Sequence, residues 1–180
     1  MTTPGLPDVA AAEERDGLVI GVISDTHNHL YPEVKALLDG VDHIIHAGDV
    51  CSPTLLSELR RIAPLTVVRG NCDAGAWADA LPVRAEFALG GVRVVMGHIG
   101  GQLREEATAR GSGPGGLDIV VFGHSHQPMV EQKGGVLYLN PGSAGPRRYG
   151  RPRTMAFLRI APEEDGGAPA DRVLANIVVV

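Results

Sequence analysis

Apolar residues fall in short blocks along this chain, and most blocks end in a glycine or a polar turn. Leu18–Ile23, His43–Ile45, Leu65–Val68, Val92–Met96 and Ile119–Phe122 are rich in β-branched residues and too short for ordinary helices. Runs of this kind between turn residues predict buried strands. Two intervening segments instead repeat apolar positions every three to four residues. Pro32 opens one, with Val34, Leu37 and Leu38 on a single helical face. Ser52-Pro53 opens the other, with Leu55, Leu56, Leu59 and Ile62 on its face and Ser52 as the candidate N-cap. Strand and helix in alternation imply βαβ units and a largely parallel sheet.

The second half follows a different pattern. Val83–Leu89 and Val92–Met96 flank Gly90-Gly91, and Met129–Lys133 and Val136–Leu139 flank Gly134-Gly135. A two-residue Gly-Gly link between apolar runs signals a hairpin. A helix is predicted between these hairpins, from about Gln102 to Arg110. Met155–Ile160 and Val173–Val179 read as closing strands. Between them Ala161–Ala170, rich in proline, glycine and acid, reads as an exposed loop. The expected fold is α/β: two packed mixed β-sheets flanked by helices, forming one domain over residues 18–180. Residues 1–17 carry Pro4, Pro7 and several charges without periodicity, which predicts a flexible tail.

The polar residues that end the strand blocks carry the chemistry. Asp25 and His27 follow the first block, Asp49 the second, Asn71 the third, His98 the fourth, and His124 with His126 the fifth. In open α/β sheets, ligands bind beyond the carboxyl ends of the strands. All seven candidates lie at that edge. They form an oxygen and nitrogen donor set with almost no sulfur, suited to borderline or hard divalent ions. Two such ions side by side are a common device for cleaving phosphate esters. The order and placement of the five motifs therefore predict a dinuclear metallophosphoesterase.

Bulk properties remove other classes. The chain has 180 residues, enough for one well-buried core. A net charge of −5 gives no electrostatic case for binding long nucleic acid. No run approaches the ~18 apolar residues of a membrane span, and the N-terminus has no secretory pattern. Two cysteines, Cys51 and Cys72, make no disulfide framework. A cytoplasmic protein is expected. The basic stretch Arg147 to Arg153 reads either as a solvated loop or as a rim that draws in anions.

Taken together, Ser24-Asp25-Thr26-His27, Gly48-Asp49, Gly70-Asn71-Cys72-Asp73, Gly97-His98 and Gly123-His124-Ser125-His126 resemble the motifs of the calcineurin-like metallophosphoesterase superfamily. The likeness is greatest to its small phosphodiesterases of the YfcE type and spans about residues 18–160. The resemblance implies a first metal on Asp25, His27, Asp49 and His126. It implies a second on the shared Asp49 with Asn71, His98 and His124. Manganese is the expected metal, with nickel, iron and zinc as alternatives. Asp49, Asn71, Cys72, Asp73 and His98 are the residues expected beside the reacting phosphate.

Many phosphatases of this fold carry a histidine where this chain has Cys72. A thiol is a weak hydrogen-bond donor, which speaks against strong monoesterase activity. The resemblance implies a small phosphodiester as substrate, with a phosphomonoesterase or nucleotidase as the alternative reading in the same chemical class. Asp73 either orients its neighbours or caps the next helix. His29 and His43 have no role in the pattern. His46 is either a satisfied core histidine or a support to the ligands. The segment Asn140-Pro141-Gly142-Ser143 matches a loop of the subfamily, and a turn suffices to explain it. The resemblance further implies a homo-oligomer, dimer or tetramer. A eukaryotic retromer subunit resembles the family and uses the fold for protein contacts, which leaves a non-catalytic scaffold as the competing class.

Overall fold

A computed structural model describes residues 17–148, 150–163 and 169–180. The expected N-terminal tail lies outside the described residues except for Gly17, as do Tyr149 and the middle of the predicted 161–170 loop.

Among the described residues ten strands form two five-stranded sheets. The first holds β1 (Leu18–Ile23), β2 (His43–His46), β3 (Leu65–Val67), β9 (Thr154–Ile160) and β10 (Val173–Val179), in the order β10-β9-β1-β2-β3. The second holds β4 (Arg84–Leu89), β5 (Val92–Gly97), β6 (Ile119–Val121), β7 (Met129–Lys133) and β8 (Val136–Asn140), in the order β4-β5-β6-β8-β7. β1, β2 and β3 run parallel, as do β5, β6 and β8. β9, β10, β4 and β7 join antiparallel. Each sheet is thus mixed: a parallel centre from crossover units, with antiparallel edges from the hairpins. The expectation of a largely parallel sheet holds only for those centres.

Strand alternation builds the layers. Ile20 and Val22 of β1 face the second sheet, where they meet Val94 and Met96 of β5 and Ile119 and Val121 of β6. The intervening residues face outwards. Ile23 and Ile44 pack under α1 (Pro32–Leu38) and α2 (Pro53–Ile62) through Val34, Leu38, Leu55 and Leu59. Val95 and Val120 pack under α4 (Gly100–Arg110) through Leu103 and Ala107. At Gly21 a β-carbon would collide with Leu38, so the missing side chain lets α1 settle on the sheet.

Several boundaries refine the sequence reading. α4 begins two residues earlier than predicted. Ser52 occupies the N-cap position of α2, but its side chain makes no capping hydrogen bond. Pro53 at the first turn removes one of the N–H groups a cap would serve. The Gly-Gly links are hairpin turns with positive φ, 54° and 78° at Gly90 and Gly91 and 59° and 76° at Gly134 and Gly135. A short α3 (Ala76–Asp79) and a 3-10 turn (Pro169–Arg172) carry no periodic signal in the sequence. Among the described residues no helix is long and apolar enough to cross a membrane.

Candidate metal centre

The carboxyl ends of β1, β2, β3, β5 and β6 converge, and the seven candidate ligands lie in or just after the turns that leave them. Those turns are sharp. Asp25, His27, Asp49, His124 and His126 all have positive φ, between 45° and 66°. Among the described residues the only other non-glycine residues in this region are Asn28 and Cys51, both beside the ligands. Left-handed backbone costs an ordinary residue about 1–2 kcal/mol. Such strain persists where surrounding structure holds it, and functional sites are where it clusters. Gly48 and Gly123 permit the close approach. A β-carbon on Gly48 would sit 2.7 Å from His98 Nδ1, and one on Gly123 would lie 2.8 Å from Asp25 Oδ2.

The donors crowd one another. His126 Nε2 lies 3.1 Å from Asp25 Oδ1 and 3.5 Å from His27 Nε2. His98 Nε2 lies 3.0 Å from Asn71 Oδ1, 3.4 Å from Asp49 Oδ2 and 3.9 Å from Asp25 Oδ1. Asn71 Oδ1 also faces His124 Nδ1 at 2.9 Å. His27 Nε2 is 4.0 Å from Asp49 Oδ2. The structure therefore brings all seven together.

Two observations test whether this set fits a cation. First, Asp25 Oδ1 is fully buried and has no hydrogen-bond partner. The other oxygen of that carboxylate is satisfied by Ser24 Oγ at 2.6 Å and His124 N at 3.1 Å. A buried, half-satisfied carboxylate calls for a positive charge. Second, His98 Nδ1 donates to the Ala47 carbonyl at 2.7 Å, and its Nε2 faces three oxygens, from Asn71, Asp49 and Asp25. Burial works to lower the His98 pKa, but the Asp49 hydrogen bond and the surrounding carboxylates outweigh it and raise it. A proton or a metal ion at that position resolves the same conflict. The donor set fits divalent metal.

Asp49 is held from several sides. Its Oδ1 accepts from Cys72 N at 2.7 Å. Burial alone would raise its pKa, yet the hydrogen bonds from His98 and Cys72 hold it well below the ordinary carboxylate range. Asp73 fixes the backbone around it. Asp73 Oδ2 accepts from Asp49 N at 3.1 Å and Gly70 N at 2.7 Å, and its Oδ1 accepts from Cys51 N at 2.7 Å. Gly75 takes the N-cap position of α3. Of the two readings left open for Asp73, orientation of its neighbours is the one found.

His46 is buried beneath the donors. Gly48 N donates to its Nδ1 at 3.2 Å, so its Nε2–H donates to Thr26 Oγ1 at 2.8 Å. Complete burial lowers its pKa to about 4 and keeps the ring neutral. His43 pairs with Thr66 at the far end of β2, and His29 stacks on Tyr31, so neither joins the centre. Trp77 and Leu81 pack against the core under α1 and α2.

Cys72 is exposed at the rim and Cys51 partly buried; both are free thiols. A donor atom of Cys72 lies within 4.8 Å of others from His27 and Asp49. Burial, followed by Asp49, raises the Cys72 pKa, so the residue is a neutral thiol. Arg148 and Arg151 border the centre: Arg148 acts electrostatically on His27, Cys51 and Cys72, and Arg151 Nη1 donates to the Ser125 carbonyl at 3.4 Å.

Sequence reasoning missed several braces. Ser143 Oγ donates to the Asp25 carbonyl at 3.0 Å, and Asn140 Nδ2 donates to the Gly123 carbonyl at 2.8 Å. The 140–143 segment leaves the end of β8 (Val136–Asn140) without regular structure, with Gly142 N donating to Asn140 Oδ1, and it ties both ends of the ligand set together. Ser24 and Thr26 sit inside a recognised motif, but only the folded contacts reveal their function.

Comparison with known proteins agrees with this geometry. The chain is 34% identical over 160 residues to a probable metallophosphoesterase of Methanothermobacter thermautotrophicus, covering 82% of this chain and 88% of that protein. It is 28% identical over 166 residues to phosphodiesterase YfcE of Escherichia coli, covering 75% and 84%. The fold superposes on Vacuolar Protein Sorting 29 of Cryptosporidium parvum with a TM-score of 0.68 at 20% identity, over 91% of this chain and 99% of that one. The calcineurin-like phosphoesterase superfamily domain matches residues 18–163, and the chain belongs to that superfamily.

Proposed function

We propose that residues 18–180 form one dinuclear, metal-dependent phosphodiesterase domain. The observation that carries the reading is the buried Asp25 Oδ1, which makes no hydrogen bond and lies 3.1 Å from the His126 ring at the centre of seven converging donors. Asp25, His27, Asp49 and His126 would hold one ion, and Asp49, Asn71, His98 and His124 the other. Manganese is the metal of choice, with nickel, iron and zinc also compatible with mixed oxygen and nitrogen donors. When bound, such a pair of ions lowers the pKa of water and neutralises charge developing on phosphoryl oxygens.

The chain's own residues supply position and charge. Asp49, tied to Cys72 N and to the Asp73 network, presents a carboxylate that stays ionised. His98 is aimed by Ala47, and Asp25 by Ser24. Arg148 adds positive charge at the rim, which favours an anionic substrate. Cys72 offers only a weak donor to a departing oxygen, which favours diesters with good leaving groups over monoesters. The free thiols Cys51 and Cys72 fit a reducing cytoplasm, and we extend the proposal to a homo-oligomer acting there.

The likeness to Vacuolar Protein Sorting 29 keeps a protein-contact scaffold as the second reading. The complete donor set favours the enzyme. Stripping the protein with chelator should abolish hydrolysis of bis-p-nitrophenyl phosphate, and manganese should restore it. Absence of turnover in metal-replete protein would favour the scaffold.

A further inference from the structure

A cavity of about 730 Å³ opens directly from the centre and is lined on its inner side by Asn71 and His98. Its size falls within the roughly 300–1,000 Å³ of small-molecule sites, far more than one phosphate group needs. Val83 and Ile99 stand at its walls, 71% and 59% exposed, with Leu103 behind them. Isolated exposed aliphatics need no explanation, but two flanking a cavity beside candidate ligands form an apolar surface with a position.

Charge narrows the occupant. The cavity's ionised side chains are Arg69, Arg84, Glu105 and Glu106, so positive and negative balance. Both arginines are already paired, Arg69 with Asp79 at 2.8 Å and Arg84 with Glu86 and Glu106 at 2.6 Å each. A second phosphate or carboxylate on the ligand would find no free cation there. The basic residues that border the centre, Arg148 and Arg151, lie instead beside His27, Cys51, Cys72 and Ser125. Gln102 supplies an uncharged hydrogen-bonding group on the lining, and a β-carbon on Gly101 would meet nothing within 4 Å, so the first turn of α4 leaves open space. The smaller cavity between Asn28 and Glu58, of about 280 Å³, is lined by none of the seven donors.

We infer that this cavity is the subsite for an uncharged, ring-bearing alcohol esterified to the phosphate, a nucleoside or an aryl group. The inference rests on the proposed phosphodiesterase centre and names the class of ester it takes. The phosphate lies at the donors. The ring lies against Val83 and Ile99, with Gln102 in reach of its polar edge.

The test is calorimetric binding to manganese-reconstituted protein of four probes: inorganic phosphate, methyl phosphate, phenyl phosphate and thymidine 5′-monophosphate. Each carries at most one organic group, so only one can enter the cavity. Ring-bearing probes should bind about ten-fold tighter than methyl phosphate, the scale of discrimination an apolar pocket supplies. Affinities within two-fold of methyl phosphate would overturn the subsite. Phenyl phosphate and thymidine 5′-monophosphate compared with each other tell the aryl from the nucleoside source. Val83→Glu and Ile99→Glu each put a carboxylate on an exposed position, where the fold tolerates it, and should narrow the ring-to-methyl ratio to about two-fold. A ratio that survives both substitutions would also overturn it. Turnover of bis-p-nitrophenyl phosphate on the same preparation reports the centre separately. If the diester is hydrolysed while all monoesters bind alike, the subsite fails and the proposed function stands. If nothing is hydrolysed, the proposed function fails and the binding ratio still decides the subsite.

Discussion

The two sheets bring different donors to their shared edge. β1, β2 and β3 lead to Asp25, His27, Asp49 and Asn71, three oxygen donors and one ring nitrogen. β5 and β6 lead to His98, His124 and His126, all ring nitrogens. The oxygen half is fixed by hydrogen bonds of its own: Ser24 on Asp25, Cys72 N on Asp49, and Asp73 on three backbone N–H groups. The nitrogen half leans on the oxygen half. His98 is aimed by the Ala47 carbonyl, and His126 Nδ1 is buried without a partner. The protein braces most of its oxygen side, yet leaves Asp25 Oδ1 there and His126 Nδ1 on the other side without a hydrogen bond. Asp49, which touches both groups, is where the difference can be broken.

The largest effect is therefore expected from Asp49→Asn. The amide keeps the size and removes the charge facing His98. Diester turnover should fall by about 10³-fold, the upper scale for removing one preorganised electrostatic contact. Circular dichroism should show the fold retained, because the side chain lies beyond the strand and outside the apolar core. Near-normal turnover would mean that the two halves do not meet through Asp49.

A pH measurement asks whether the oxygen half is assembled without metal. His46, buried under it, has a folded pKa of about 4 against 6.5 when exposed. Between those values the unfolded chain holds a proton that the folded chain lacks, so stability rises with pH. The contribution is complete above pH 6.5 and is lost as pH falls towards 4. In chelator, urea unfolding should show about 2 kcal/mol less stability at pH 5 than at pH 7 from this group. His46→Gln should flatten that slope. An equal loss in both proteins would place the acid sensitivity elsewhere.

The smallest effect sharpens the comparison at its rim. Cys72→His supplies a general acid next to Asn71, a role typically worth 10²–10⁴-fold when ideally placed. At this exposed and unoptimised position about a ten-fold rise in the monoester-to-diester rate ratio is expected. An unchanged ratio with intact metal content would shift the preference to the walls of the Val83–Ile99 cavity.

Much of this was legible in the sequence because it is local. The donors follow apolar runs of strand length. Asp25 and His27 come together on a backbone with positive φ, 55° and 45°, which their spacing does not reveal. What was not legible depends on long-range closure. Ser143 braces Asp25 across 118 positions, and Asp73 reaches 24 positions back to Asp49. No local pattern encodes such contacts. α3 has four residues, too few for a periodic signal, and Ser52 reads as a cap although Pro53 removes one of the N–H groups a cap would serve. The cavity beside His98 is likewise invisible until β4, β5 and α4 are assembled around it.

The central claim is that seven donors from two sheets hold two ions through one shared carboxylate. Equilibrium dialysis against manganese, followed by elemental analysis of metal bound per chain, tests it most directly. The account predicts two ions per chain in the wild-type protein and fewer than one in Asp49→Asn. A wild-type protein that binds one ion or none, or an Asp49→Asn protein that keeps both, would contradict it.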